Sequence, residues 1–193
     1  MKSAIVVSIL GTQLDYVGKR VDRWARWRPN VSLCSQEEFI VNKLYMMHDT
    51  HSSRLANNVA VDIESISPET TVCLENINFI DPWDFEEVYA KLYDWCHQQR
   101  FDTEQHDYFF HITTGTHVVQ ICIFLLTESG HFPGRLIQTS PDKHNQNKAT
   151  GKIQIIDLDL SKYDQLATRF DKEHLEGNAF LKGGIQTKNS AFN

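Results

Sequence analysis

The chain has 193 residues, of which 41% are hydrophobic, enough for one globular domain with an ordinary core and a tail. The net charge is -6, so the surface as a whole does not attract duplex DNA. Any nucleic-acid binding must come from a local basic pocket or from another part of a longer protein. The sequence contains no run of about 18 apolar residues, so it predicts no membrane-spanning helix.

Cysteine and histidine spacing predicts neither a disulfide framework nor a metal site. The four cysteines lie far apart, each among apolar neighbours, which predicts buried, reduced thiols in a cytoplasmic protein. They are Cys34, Cys73, Cys96 and Cys122. The nine histidines form no HExxH or HxH pair, so we expect no metal and no other cofactor in this part of the protein.

The first half of the chain alternates short apolar segments with an amphipathic one. Ala4–Leu10 is β-branched and predicts a buried first strand rather than a signal peptide, because no small-residue cleavage site follows it. Lys43–His48 predicts a second strand and Thr70–Asn76 a third. Between them, Ser52–Ser67 predicts an amphipathic helix that Ser52 or Ser53 can cap.

The second half continues the same alternation. A helix is predicted to open at Asp81 and Pro82 and to run to Gln98. Its predicted buried stripe is Phe85, Val88, Tyr89, Leu92 and Trp95. The elements predicted after it are a strand over Asp107–Thr113, a helix over Thr116–Ser129, strands over Arg135–Thr139 and Lys152–Leu158, and a closing helix over Ser161–Glu173. The polar segment SPDKHNQNKATG between the last two strands predicts a mobile hairpin loop.

This order of elements predicts the α/β fold class. Strands that alternate with helices indicate a doubly wound, mostly parallel sheet of Rossmann-like type. We expect the strand order 3-2-1-4-5, with the last strand forming an antiparallel hairpin. The first and fourth strands are then neighbours at the topological switch point, where ligands of such sheets bind.

Two polar loops follow these two strands. Gly11, Thr12 and Gln13 follow the first, and Thr113–His117 follows the fourth. The second loop leads into a helix whose first N–H groups have no partner within the helix, which suits a phosphate. Its threonine hydroxyls could donate to anionic oxygens and His117 adds a further donor. Alternatively, Thr114 or Thr116 caps the helix and Gly115 relieves a tight turn.

The connector between the first two strands is basic and aromatic. Residues Gly18–Pro29 interleave arginines with Trp24 and Trp27 in an otherwise acidic protein. Arginine binds phosphates and indole stacks on bases, so one interpretation is RNA binding. The other is an amphipathic helix whose tryptophans pack on the sheet. No nucleophile–base set stands out, although Asp15 is a possible neighbour of His117 across the switch point.

Several longer segments together resemble a known family. They are GTQLD, RWARWRPNVSL, SPETTVCL, DPWDFEEVY, HITTGTHVVQICIFLLTE, QTSP and IIDLDLSKYD. They resemble the N-terminal regulatory domain of the RtcR family, the sigma-54-dependent activators of a bacterial operon for RNA ligase and RNA 3′-phosphate cyclase. The resemblance covers nearly the whole chain.

The resemblance implies a CARF domain, the CRISPR-associated Rossmann fold. Such domains usually form homodimers and bind oligoadenylates or related RNA signals with the loops after the first and fourth strands. The predicted ligand-binding residues are Gly11, Thr12, Gln13, Trp24, Trp27, Arg28, Thr113, Thr114, Gly115, Thr116, His117 and Ser140. In this family the signal is thought to be RNA ending in a 2′,3′-cyclic phosphate.

The resemblance also implies that the chain is the sensor part of a longer protein. Residues 1–176 are expected to form the CARF domain and residues 177–193 a linker toward an AAA+ ATPase domain. ATP and Mg, sigma-54 RNA polymerase and promoter DNA would be partners of the longer protein. Two other functions stay open: a ring nuclease using Thr12, Thr116 and His117, and a dimerisation domain without a ligand.

Overall fold

The computed structural model describes residues 2–16, 20–142 and 151–156, and within them the chain forms a six-stranded sheet. The strands are β1 (Ser3–Ile9), β2 (Val41–His48), β3 (Thr71–Asn76), β4 (His106–His111), β5 (Arg135–Pro141) and β6 (Gly151–Ile156). The described α-helices are α1 (Pro29–Cys34), α2 (Ser53–Ile66), α3 (Phe85–Gln98) and α4 (His117–Glu128). Short 3-10 helices span Arg20–Ala25 and Thr50–Ser52.

The strand order is β3-β2-β1-β4-β5-β6. Neighbouring strands from β3 to β5 are parallel, and β6 runs antiparallel to β5. This confirms the predicted α/β class, the order 3-2-1-4-5 and the antiparallel hairpin strand. Because β1 and β4 pair directly, the loops that follow them leave the sheet side by side.

Helices cover both faces of the sheet. Successive side chains of a strand point to opposite faces, and β2 shows this clearly. Leu44 and Met46 belong to one core cluster with Ile63 of α2. Tyr45, between them, makes an edge-on ring contact with Trp95 of α3, at 5.8 Å between centroids. The sheet is therefore buried between α2 and α3, as its nearly continuous apolar strands require.

The start of α3 differs from its prediction. The helix begins at Phe85, because the side chain of Asp84 accepts a hydrogen bond from the backbone N–H of Glu87 at 2.9 Å and caps it there. Val88, Leu92 and Trp95 are buried as predicted. Phe85 was wrongly placed in the buried stripe, since it lies at the helix end and is 43% exposed. Tyr89 is half-buried.

Several predictions concern the ends of the described part of the chain. The strand predicted over Lys152–Leu158 is described as Gly151–Ile156. Residues 143–150 of the predicted mobile loop, the predicted helix Ser161–Glu173 and the tail lie outside the described residues. Residues Met1–Asp157 form one compact unit. The predicted boundary at residue 176 stays a prediction.

The cysteines are free thiols, as expected. Cys34, Cys96 and Cys122 are buried, whereas Cys73 is only half-buried. Within the described residues, none of the helices has both the length and the apolarity needed to cross a membrane.

Candidate ligand-binding site

A cavity of about 430 Å³ lies at the carboxyl edge of the sheet. The loops after β1 and β4 form one side of it, through Gly11–Gln13 and Thr113–His117. The end of β2 and the segment that follows β3 form the other side, through His48, Asp49, Phe79 and Trp83. Its volume and its position at the switch point are those of a small-molecule site in a doubly wound sheet.

The two loops approach each other too closely for a side chain at Gly11. A Cβ atom at this position would lie 2.8 Å from Cγ2 of Thr114 and 3.0 Å from a carboxylate oxygen of Asp15. The Thr114 hydroxyl donates to the backbone oxygen of Ile9 and so joins the two loops. Gly115 has a φ of 94°, a conformation that favours glycine. Both glycines therefore serve the loop geometry itself.

The other two threonines of the second loop are also bonded within the protein. The Thr116 hydroxyl accepts from the backbone N–H of Val119 at 3.2 Å, which makes Thr116 the N-cap of α4, and it donates to the Pro82 oxygen at 2.8 Å. Thr113 donates to the backbone oxygen of Thr139 at 3.1 Å and accepts from its N–H at 2.7 Å. These hydroxyls therefore have partners within the protein, and their donation to a ligand stays a prediction.

Other groups remain to face a ligand. Thr12, Gln13 and His117 line the cavity with exposed side chains. His117 is the first residue of α4, so the unpaired N–H groups and positive dipole end of that helix lie at the cavity. No lysine or arginine among the described residues lines it. The cavity can therefore hold an anion through neutral donors, a helix terminus and an imidazole.

Asp15 lies beneath the first loop and is 1% exposed. Its carboxylate accepts from the Gly11 N–H at 2.8 Å and from the Asn30 side-chain amide at 2.7 Å. Burial raises its pKa, and the hydrogen bonds from Asn30 and Gly11 offset part of that rise. Asp15 thus holds the loop in place, since the described hydrogen bonds of its carboxylate come from Gly11 and Asn30.

A chain of buried side chains crosses the sheet below the cavity. Ser8 donates to Asn30 Oδ1 at 2.5 Å, so the hydroxyl must accept from His111 Nδ1–H at 2.9 Å. His111 Nε2 in turn lies 3.0 Å from the Thr139 hydroxyl. Burial lowers the pKa of His111 to about 3, which agrees with this neutral tautomer. We define Asn30, Ser8, His111 and Thr139 as the buried polar chain.

Comparison with known protein families decides the identity. The sequence model of RtcR, the regulator of RNA terminal phosphate cyclase, matches residues 2–184. The chain belongs to the RtcR family. It is 47% identical over 194 residues to the transcriptional regulatory protein RtcR of Escherichia coli (strain K12). That match covers 100% of this chain and 36% of the relative, so the chain spans about a third of its length.

Solved structures show a similar fold. Csm6 of Enterococcus italicus, bound to cyclic hexa-2′-fluoro-hexa-dAMP, matches with a TM-score of 0.62 and 13% identity over 100% of this chain and 52% of that chain. Can2 of Sulfobacillus thermosulfidooxidans, in complex with cyclic tetra-adenylate, has a TM-score of 0.48 and 13% identity over 77% of this chain and 36% of that chain. The likeness to Csm6 shows that the RtcR-family chain shares that fold, in line with the predicted doubly wound α/β sheet.

The basic connector of this RtcR-family chain is bonded to α2. Arg28 is 3% exposed, and its guanidinium donates to Asp62 at 2.7 Å and to the Asp15 backbone oxygen at 3.1 Å. Arg23 donates to the same Asp62 carboxylate at 2.9 Å. Burial raises the pKa of Asp62, but the hydrogen bonds from Arg23 and Arg28 outweigh it and hold the pKa below its usual value. The charge of Arg28 is therefore neutralised inside the fold, and a contact of Arg28 with a ligand stays a prediction.

The structure does not bring three other predicted residues to the cavity. Trp24 is half-buried against the α2 side of the core, with Arg23 5.4 Å from its ring. The Trp27 Nε1 atom is buried close to Gly151. Ser140 is exposed on β5 and pairs with Lys152 of β6. A contact of these residues with a ligand stays a prediction, and their positions favour the packing alternative for the tryptophans.

Sequence reasoning missed the second wall of the cavity. His48, Asp49, Phe79 and Trp83 follow β2 and β3, whose carboxyl ends lie at the same edge as those of β1 and β4. The parallel topology itself could have indicated them, since every strand of such a sheet ends at that edge. The DPWD segment was interpreted only as a helix start, although it also forms part of the cavity.

Proposed function

We propose that this chain is the ligand-sensing regulatory domain of a sigma-54-dependent activator of RNA repair. Its signal would be an RNA-derived ligand, either RNA ending in a 2′,3′-cyclic phosphate or an oligoadenylate. The observation that carries the proposal is the cavity at the switch point, where the loops after β1 and β4 meet the N-terminus of α4 in an RtcR-family chain.

The chemistry of the cavity supports a phosphate of low charge. A helix N-terminus and neutral donors stabilise one negative charge well, but they lack the fixed cations that usually accompany a dianionic phosphate. A cyclic or diester phosphate carries a single negative charge. Thr12, Gln13 and His117 are the side chains that would hold its oxygens, and the 430 Å³ cavity accommodates at least one nucleotide.

In the longer protein, ligand binding would control an attached AAA+ ATPase. We infer a homodimer in which the ligand lies near the two-fold axis, so that binding changes the relative placement of the two subunits. Sigma-54 RNA polymerase and promoter DNA would be partners of the whole activator in the cytoplasm. The Escherichia coli relative, a transcriptional regulatory protein, supports this regulatory role rather than an enzymatic one.

The direct test is a calorimetric titration of the chain with two short adenylate RNAs that differ only in their 3′ end. One ends in a 2′,3′-cyclic phosphate and the other in a hydroxyl, and cyclic tetra-adenylate serves as a third probe. Preference for the cyclic phosphate, or binding of the cyclic oligonucleotide, supports the proposal. Failure of all three to bind would refute it.

Substitution of His117 connects binding to the cavity. His117→Ala removes one donor to a charged group, so we expect affinity to fall about tenfold. The matched control is His51→Ala, an exposed histidine outside the cavity lining. Equal affinities for the two variants would place the ligand elsewhere on the surface.

A further inference from the structure

We propose that Trp83, which lines the cavity together with Phe79, is a stacking platform for a nucleobase of the ligand. This inference rests on the proposed function and assigns the second wall of the cavity to the base, while the loops after β1 and β4 hold the phosphate. An indole face binds any base by stacking, without regard to its hydrogen-bonding edge.

The position of Trp83 is unusual for a tryptophan. It lines the cavity, yet its side chain is 62% exposed, so most of the apolar ring surface meets water. The ring lies next to His117, at 6.5 Å between centroids and an interplanar angle of 73°. A large apolar side chain that lines a cavity and stays in contact with water is typical of a binding surface rather than of a core.

The backbone on both sides of Trp83 is fixed. The Glu87 carboxylate accepts from the N–H groups of Ile80 at 2.7 Å and Asp81 at 3.0 Å. The backbone N–H of Trp83 donates to the Asp81 side chain at 2.9 Å, and the backbone oxygen of Pro82 accepts from the Thr116 hydroxyl at 2.8 Å. The loop backbone that carries the indole is therefore held in one conformation, which lowers the entropy lost when a base stacks on the ring.

The contacts of the Glu87 carboxylate with the loop depend on α3, because Glu87 and its partner Lys91 both lie in this helix. Lys91 lies 2.6 Å from the Glu87 carboxylate and also donates to the backbone oxygen of Asn78. The hydrogen bond from Lys91, followed by those from Asp81 and Ile80, lowers the pKa of Glu87 to about 2. The carboxylate thus stays ionised at neutral pH and keeps accepting both loop N–H groups.

The platform lies at the right place for a nucleotide. His117 is at once the neighbour of the indole and the first residue of α4, where an anion is stabilised. An aromatic surface and an anion site therefore meet at one residue. A nucleotide carries a base and a phosphate that would contact both, whereas inorganic phosphate would leave the indole exposed.

The test compares three variants by titration with pentaadenylate RNA ending in a 2′,3′-cyclic phosphate. Trp83→Ala removes the ring and is expected to weaken binding about tenfold, corresponding to about 1.4 kcal/mol. Trp83→Phe keeps a stacking ring and should stay close to the wild type. The control Ile80→Ala changes a side chain of the same loop that is 94% exposed and outside the cavity lining, so affinity should not change.

Each outcome has a distinct meaning. Thermal unfolding of the free Trp83→Ala chain should match the wild type because the indole is mostly exposed, so weaker binding would report the lost stack. If Trp83→Ala binds as tightly as the wild type, or if Trp83→Phe loses as much as Trp83→Ala, the stacking proposal is overturned and the proposed function stands. A changed sedimentation coefficient with unchanged affinity would instead assign Trp83 to a protein interface. If the wild-type chain binds none of the probes, both proposals fail.

Discussion

Asp62→Ala should destabilise the fold strongly, because Asp62 neutralises a buried arginine. The side chains of Arg28 and Asp62 are each 3% exposed, and their charged atoms lie 2.7 Å apart. Removing one partner of a buried ion pair leaves the other charge uncompensated and costs about 3–5 kcal/mol. Arg23 contributes less, since its side chain is 37% exposed and solvent weakens ion pairs at the surface.

Urea unfolding followed by far-UV circular dichroism measures this difference directly. Asp62→Ala should lower the free energy of unfolding by about 3–5 kcal/mol, whereas Arg23→Ala should lower it much less. Replacing the pair together, with Arg28→Met and Asp62→Leu, should recover part of the loss because no unpaired charge remains. If Asp62→Ala and Arg23→Ala lose equal amounts, the connector is not anchored by a buried ion pair and its role in RNA binding must be reconsidered.

Three further predictions concern the loops, the buried polar chain and the thiols. Gly115→Ala should cost about 1–3 kcal/mol in urea unfolding, because a side chain at a φ of 94° is strained and its Cβ would lie 3.0 Å from Val119; a neutral effect would contradict this geometry. His111 is neutral in the folded chain, but in the unfolded chain it becomes protonated below the ordinary histidine pKa of 6.5. The free energy of unfolding should therefore fall as the pH drops from 6.5 to 5, by up to about 1.4 kcal/mol per pH unit. His111→Gln should flatten that slope. Mass spectrometry after brief iodoacetamide treatment should find Cys73 modified before Cys34, whose pKa burial raises to about 12; the reverse order would show that the thiols differ in exposure from the structure.

The fold could be predicted from the sequence because its signals are local and mutually consistent. Ala4–Leu10 and Asp107–Thr113 are short apolar runs bounded by polar loops, and Ser52–Ser67 has one apolar face, so element types follow from periodicity. The handedness of parallel crossovers then leaves few strand orders. The helix over Pro29–Cys34 was missed because six residues are too few to show a period.

The roles of individual side chains in the candidate site are harder to predict, because they depend on partners distant in the sequence. Arg28 was interpreted as an RNA contact, but its charge is balanced by Asp62, 34 residues later. Thr114 and Thr116 were interpreted as ligand donors, yet their partners are the backbone oxygens of Ile9 and Pro82. The loop positions follow from topology, whereas the direction of each hydroxyl follows from packing that no local pattern encodes.

The buried polar chain has a consequence for how the family can diverge. Ser8 lies opposite His111 in the pairing of β1 with β4, and a shift by one residue would separate them and leave Nδ1 of the imidazole without a partner. An unsatisfied buried group costs about 1–3 kcal/mol, so these positions can change only as a set that includes Thr139. Among relatives, Ser8, His111 and Thr139 should therefore covary. The exposed Thr12 and Gln13 can drift independently, which would let one scaffold acquire different ligand preferences over evolutionary time.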